Sequence, residues 1–110
     1  MADYACIVQA GQIAEAERDE LAAGLERIAR ELLGASSSSS DINWIFIEQG
    51  FGFSAGEPSK ASLVVRSVPV GFPDDRREAL LTKISDLWQK VTGCTANDVV
   101  VTAMDGPLPI

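Results

Sequence analysis

The chain contains no histidine. That removes the one side chain whose ordinary pKa lies near neutrality, and the commonest metal ligand. No metal site and no cofactor is expected. There are two cysteines, Cys6 and Cys94, too few for a disulfide framework. Cationic residues are also scarce: nine Lys and Arg stand against sixteen Asp and Glu, a formal charge of −7. Such a surface repels nucleic acid and anionic membranes, so neither is expected as a partner. No apolar run approaches the roughly 18 residues of a membrane span, and no basic stretch leads into an apolar one at the N-terminus. These absences point to the cytoplasm. At 110 residues the chain suffices for one domain, of a size that gains from oligomerisation.

What is present is organised in two similar halves. Residues 4–9 are short, partly β-branched and bounded by Gly11, the pattern of a strand. Residues 13–33 carry Leu21, Leu25, Ile28 and Leu32 at helical spacing, with charged residues on the other faces, and Gly34 supplies a stop. Residues 35–40 are serine-rich and read as a flexible connection. Residues 42–48 form a second strand pattern, and the glycine-rich residues 51–58 a turn-rich connection. Residues 61–68 read as a third strand. A second helix opens at residues 71–75 with an acidic first turn, buries Leu80, Ile84, Leu87, Trp88 and Val91, and stops at Gly93. Residues 98–104 make a fourth strand, and residues 106–110 an irregular tail.

The order strand, helix, strand thus occurs twice. Gly11 and Gly71 precede the helices, Leu21 matches Leu81, and Gly34 matches Gly93. This is a duplicated β-α-β unit, giving an α/β (α+β) domain over residues 1–110 with halves 1–57 and 58–110. Right-handed crossovers allow both helices to lie on one face of a four-stranded sheet. Yet Trp44 to Ile47, Leu63 to Val65 and Val99 to Val101 are apolar on both faces. Strands of that kind need cover on both sides. A chain this short has no third layer, so copies of the same chain are expected to supply it.

Several local strings add a resemblance. In Glu48-Gln49-Gly50-Phe51-Gly52-Phe53-Ser54-Ala55-Gly56-Glu57-Pro58 an acidic residue ends the second strand and a Gly/Phe-rich connection follows, Ser67-Val68 closes the third strand, and Met104-Asp105 closes the last. With the duplication, these are similar to the tautomerase superfamily, notably its macrophage migration inhibitory factor and cis-3-chloroacrylic acid dehalogenase branches. The resemblance implies a homotrimer with small pockets at the N-terminal strand, between neighbouring subunits. It also implies a general base or nucleophile in an N-terminal proline exposed by removal of the initiator methionine. Here Ala2 occupies that place when Tyr4 is matched to the family's aromatic residue. After loss of Met1, Ala2 would carry a primary amine with an ordinary pKa of about 7.7–8.0, usable as a neutral base if desolvated. The alternative is a plain chain end.

Other family positions depart as well. A lysine after the first helix is Ala35, an arginine at the helix start is replaced near Gln12 and Ile13, and the aromatic and amide positions of the last strand are Val100 and Thr102. A carboxylate substrate asks for a cation. Arg66, set in an apolar strand, is the candidate, either for a small carboxylate ligand or for an ion pair with Glu48, Glu57 or Asp105. Arg76 and Arg77 read as solvated first-turn charges. Asp105 is the candidate acid or base. Tyr4, Phe53, Ser67, Val68 and Thr102 are the candidate substrate contacts, with Trp44 and Phe51 as further aromatics; core or interface packing is the competing reading for the aromatics. Cys6 has no histidine to activate it and reads as a small buried hydrophobe.

The function these residues imply is binding of a small enol or α-keto acid, with weak or absent keto–enol tautomerase (isomerase) activity. The alternative is a non-catalytic trimeric ligand-binding or interaction subunit. A ferredoxin-like regulatory domain shares the element order. Parallel pairing inside each half separates the tautomerase reading from it.

Overall fold

The structure, a computed structural model, describes residues 3–34, 41–54 and 56–109. The serine-rich connection at 35–40 and Ala2 lie outside the described residues. The elements run β1 (Tyr4–Gln9), α1 (Glu15–Leu33), β2 (Ile42–Ile47), β3 (Phe53–Ser54), β4 (Glu57–Pro58), β5 (Ser62–Val68), α2 (Asp74–Thr92), a 3₁₀ turn (Ala96–Asp98) and β6 (Val99–Asp105).

Four strands form one sheet in the order β2-β1-β5-β6. β1 pairs parallel with β2, and β5 pairs parallel with β6. The two halves join through an antiparallel β1–β5 pair, with Tyr4 opposite Arg66 and Ile7 opposite Leu63. Parallel pairing within each half excludes the ferredoxin-like arrangement. Both helices pack on one face, over Tyr4, Cys6, Val8, Val64 and Val68.

The duplication is more regular than the residue matching suggests. Glu15–Leu33 and Asp74–Thr92 are offset by 59 residues at both ends. The structural counterpart of Leu21 is therefore Leu80 rather than Leu81; Leu21 and Leu80 are both fully buried. Helix α1 begins two residues later than the apolar spacing implies. Ala14 is extended, and the Glu17 carboxylate accepts the Ala14 backbone N–H at 3.0 Å, half of a capping box. Gly93 ends α2 in the left-handed region, φ 75°, and its N–H donates to the Gln89 carbonyl. The helices cross closely at Gly24, where an added Cβ would stand 2.6 Å from Leu87 Cδ1.

Two local features differ from the sequence reading. The turn-rich connection contains a two-stranded hairpin, β3–β4. The last strand begins at Val99, because Asp98 belongs to a 3₁₀ turn in which Thr95 Oγ1 donates to its carboxylate at 3.1 Å. The tail is irregular, as read, and it is packed. Gly106 N–H donates to the Val68 carbonyl, and Leu108 folds onto the face of the sheet opposite the helices, against Ala5 and Val65. The rest of that face is apolar and partly open: Ile7, Ile45 and Ile47 are half-buried, and Val100 and Met104 are 54% and 39% exposed.

Candidate functional site

The most unusual side chain of the sheet is Arg66. It sits in β5 between core residues and is 4% exposed. The β1–β5 register sets it opposite Tyr4 on the helix-covered face. Its guanidinium carbon lies 4.6 Å from the centre of the Tyr4 ring, a cation–π contact. Tyr4 is itself fully buried, and its hydroxyl donates to the Leu25 carbonyl of α1 at 2.9 Å. Burial pushes the Tyr4 phenol up to about 12, against the opposing pull of the Arg66 charge. The phenol therefore stays protonated at neutral pH, held as a donor to the helix while its ring faces the cation. This pair stands near the start of β1, where Asp3 N–H and Tyr4 N–H both donate to the Asp41 carbonyl, the Asp3 carboxylate accepts Asp41 N–H, and Ser67 N–H donates to the Asp3 carbonyl.

Asp105 ends β6 two register positions beyond the strand partner of Arg66. Its carboxylate is taken by Arg77, whose Nη2 donates to Oδ1 at 2.7 Å, while Nη1 donates to the Ala103 carbonyl at 3.2 Å. Arg77 is thus not a solvated first-turn charge; it clamps the start of α2 to the end of β6. Arg76 lies near the Phe72 ring, at 5.9 Å. Nothing in the spacing of Arg77 and Asp105 signals this clamp, because the two residues meet only once α2 lies over β6.

The remaining candidates divide by location. Val68 is 2% exposed, on the same side of the sheet as Arg66. Ser67 points to the opposite face, where its hydroxyl donates to the Gly106 carbonyl at 2.6 Å. Thr102 is exposed on that face too, opposite Val65 in register. Phe53 is 65% exposed on the hairpin. The hairpin adjoins the far end of β1: Ser59 N–H donates to the Gly52 carbonyl, and Gln9 Nε2 donates to the Ser59 carbonyl. Within the chain, then, Tyr4, Arg66 and Val68 come together, Ser67 and Thr102 lie across the sheet, and Phe53 lies at its other end. A hollow of about 500 Å³ occurs at that other end, bordered by Gln9, Ser59, Lys60 and Asp98.

Cys6 is fully buried, and burial pushes its thiol up to about 12, the state of a packed hydrophobe rather than a nucleophile. Cys94 is also free. Among the described residues no group of three acidic or cysteine side chains could hold a metal ion, and no helix is long and apolar enough to cross a membrane.

No family model and no curated protein matches the sequence. Solved structures do. Native Ps01740 is 32% identical over 94% of this chain and 93% of its own, with a TM-score of 0.83. Pt0534, solved after inactivation by 2-oxo-3-pentynoate, is 19% identical over 94% of this chain and 85% of its own, with a TM-score of 0.84. The F6 fused 4-OT wild-type asymmetric trimer is 18% identical over 94% of this chain and 85% of its own, with a TM-score of 0.83. The latter two show the fold. With the identity to Ps01740 and the duplicated unit, the chain belongs to the tautomerase superfamily.

Proposed function

We propose that residues 1–110 form one tautomerase-like domain that assembles as a homotrimer and binds a small enol or α-keto acid where subunits meet. The observation that carries this reading is Arg66, a cation 4% exposed beside the start of β1 and stacked on Tyr4. A guanidinium is suited to a carboxylate, and a ring beneath it limits its rotamers. That a fold neighbour is inactivated by a 2-oxo acid supports the ligand class. That another is a trimer supports self-association. Ser67 and Thr102 on the bare face, and Phe53 on the hairpin, would reach the ligand only across a subunit boundary. The two free thiols suit a reducing cytoplasm.

In this reading the Ala2 amine, after loss of Met1, is the base, Arg66 holds the carboxylate, and Tyr4 positions Arg66. Keto–enol conversion is weak or absent, because a primary amine replaces the proline. A second reading, a trimer that binds ligand without catalysis, is favoured by Asp105: its carboxylate is engaged by Arg77 at 2.7 Å, a poor state for proton transfer.

Thermal melts of wild type and Arg66→Ala, with and without phenylpyruvate, test the ligand role. A carboxylate bound at Arg66 raises the wild-type melting temperature, and Arg66→Ala abolishes the rise while leaving the unliganded fold nearly intact. A wild-type melt that ignores a panel of small α-keto acids removes the ligand role. An unliganded loss of about 3–5 kcal/mol in Arg66→Ala instead assigns Arg66 to a buried structural pair. Ala2→Pro, with Met1 removed, is expected to raise the conversion rate if the pocket is intact.

A further inference from the structure

The entry to β1 carries a hydrogen-bonded ring. Asp3 N–H donates to the Asp41 carbonyl at 2.8 Å, and the Asp3 carboxylate accepts the Asp41 N–H at 2.9 Å through Oδ2. The two residues thus bind each other twice, once through backbone alone and once through a side chain. Tyr4 N–H shares the Asp41 carbonyl at 3.1 Å, and the Asp3 carbonyl accepts Ser67 N–H at 2.9 Å. Asp3 therefore ties the entry of β2 to the end of β5, the two strands that flank β1. Tyr4 follows it in sequence, and Arg66 precedes Ser67.

The duplication supplies an internal control. Gly11 and Gly71, both left-handed, set an offset of 60 residues between β1 and β5. The helices are offset by 59, and the strands after them follow. On that alignment the register pair Tyr4–Ile42 matches the register pair Val64–Val101. Asp3 then falls on Leu63 and Asp41 on Val100, a register pair of two aliphatic residues. The second β-α-β unit forms with no carboxylate at that place, so the unit itself does not call for the ring.

What distinguishes the first place is its neighbour, the Tyr4–Arg66 pair. The Arg66 guanidinium carbon stands 4.6 Å from the centre of the Tyr4 ring, and a site built on such a contact loses effectiveness when its parts shift by about an ångström. A negative charge near Arg66 works against an anionic ligand, so the bond that Asp3 accepts, rather than its charge, recommends it. We propose that Asp3 is a positioning residue: by accepting the Asp41 N–H, its carboxylate fixes the entry of β1 between β2 and β5, and with it the stack of Tyr4 on Arg66. This rests on the reading of Arg66 as the carboxylate-binding cation and adds what holds that cation in place.

The arginine Nε–H signals in ¹⁵N–¹H correlation spectra of the full chain read the stack directly. The Arg66 Nε is buried and its guanidinium lies beside a ring, so the ring current displaces its signal. An Overhauser contact with the ring of Tyr4, the one tyrosine of the chain, assigns it. Asp3→Asn removes the charge but keeps an oxygen that can accept the Asp41 N–H; Asp3→Ala removes both. Asp3→Asn is expected to leave the Arg66 signal in place. Asp3→Ala is expected to move it toward the exposed arginines, and to weaken binding of phenylpyruvate about tenfold, the scale of one hydrogen bond. If Asp3→Ala gives no dispersed spectrum, Asp3→Glu, which keeps the charge and displaces the oxygen by one methylene, is expected to move the signal the same way. A signal indifferent to the loss or displacement of that oxygen overturns the proposal. So does an Asp3→Asn protein in which the signal moves as it does in Asp3→Ala, since charge and not the bond would then be the agent. A wild-type protein that ignores phenylpyruvate removes the ligand role of Arg66, while the signal in the variants still decides the role of Asp3.

Discussion

On one face of the sheet Tyr4, Cys6, Val8, Val64 and Val68 lie under two helices, each 2% exposed or less. On the other face Leu108 from the tail packs against Ala5 and Val65, and Val100 and Met104 stand open. The strands supply apolar residues to both faces alike, so composition does not separate them. Connectivity does: both crossovers place their helices on the same side, and among the described residues no helix lies over the other. The covered face is where the chain holds itself together. The bare face is where it can gain stability from another copy.

This contrast ranks the effects of substitution. The largest belongs to the covered face. Trp88 is 1% exposed and packs with its ring centre 6.0 Å from that of Trp44. Trp88→Ala should cost about 3–5 kcal/mol through lost burial and the cavity left behind, read as a lowered denaturant midpoint. A loss below 1 kcal/mol would mean that the helix-covered core is not what holds the fold.

Alkaline pH probes the same face more gently. The Tyr4 phenol is pushed from 10.0 to about 12 and the Cys6 thiol from 9.0 to about 12, each chiefly by burial. The unfolded chain releases these protons first. Their contribution is thus complete below pH 9 and is lost as pH rises toward 12. Cys6→Ala should delay the onset of that loss from about pH 9 to about pH 10, measured by denaturant melts across the range. An onset unchanged by the substitution would place Cys6 in contact with water.

Much of this fold was legible because two signals agreed. Apolar spacing marks the helices, and glycines mark their ends; the β-branched run bounded by Gly11 is β1, Tyr4–Gln9, and the stripe through Leu80, Ile84 and Trp88 is the buried one. The bare face was legible too, from Val99 to Val101 and Trp44 to Ile47. Features made by distant residues were not. The Arg77–Asp105 clamp spans 28 residues, and Leu108 meets Ala5 across almost the whole chain. The hairpin at Phe53 was hidden because two-residue strands carry no periodicity. At the candidate site, Arg66 stood out as a cation in an apolar strand, and the sheet sets it against Tyr4. Phe53, Ser67 and Thr102 join it only through the family resemblance, which carries no information about which face of the sheet each occupies.

The smallest effect on the single chain is expected on the bare face, and the same substitution gives the sharpest test. Val100 is 54% exposed on the chain, so Val100→Asp should change the stability of an isolated chain by about 0.5 kcal/mol or less. In an assembly that buries this face, it would place a carboxylate in an apolar interface, at a cost large enough to break it. Sedimentation equilibrium at micromolar concentration decides the matter. The account predicts a wild-type species of three times the chain mass and a folded Val100→Asp monomer; a wild-type protein that sediments as a stable monomer would contradict it.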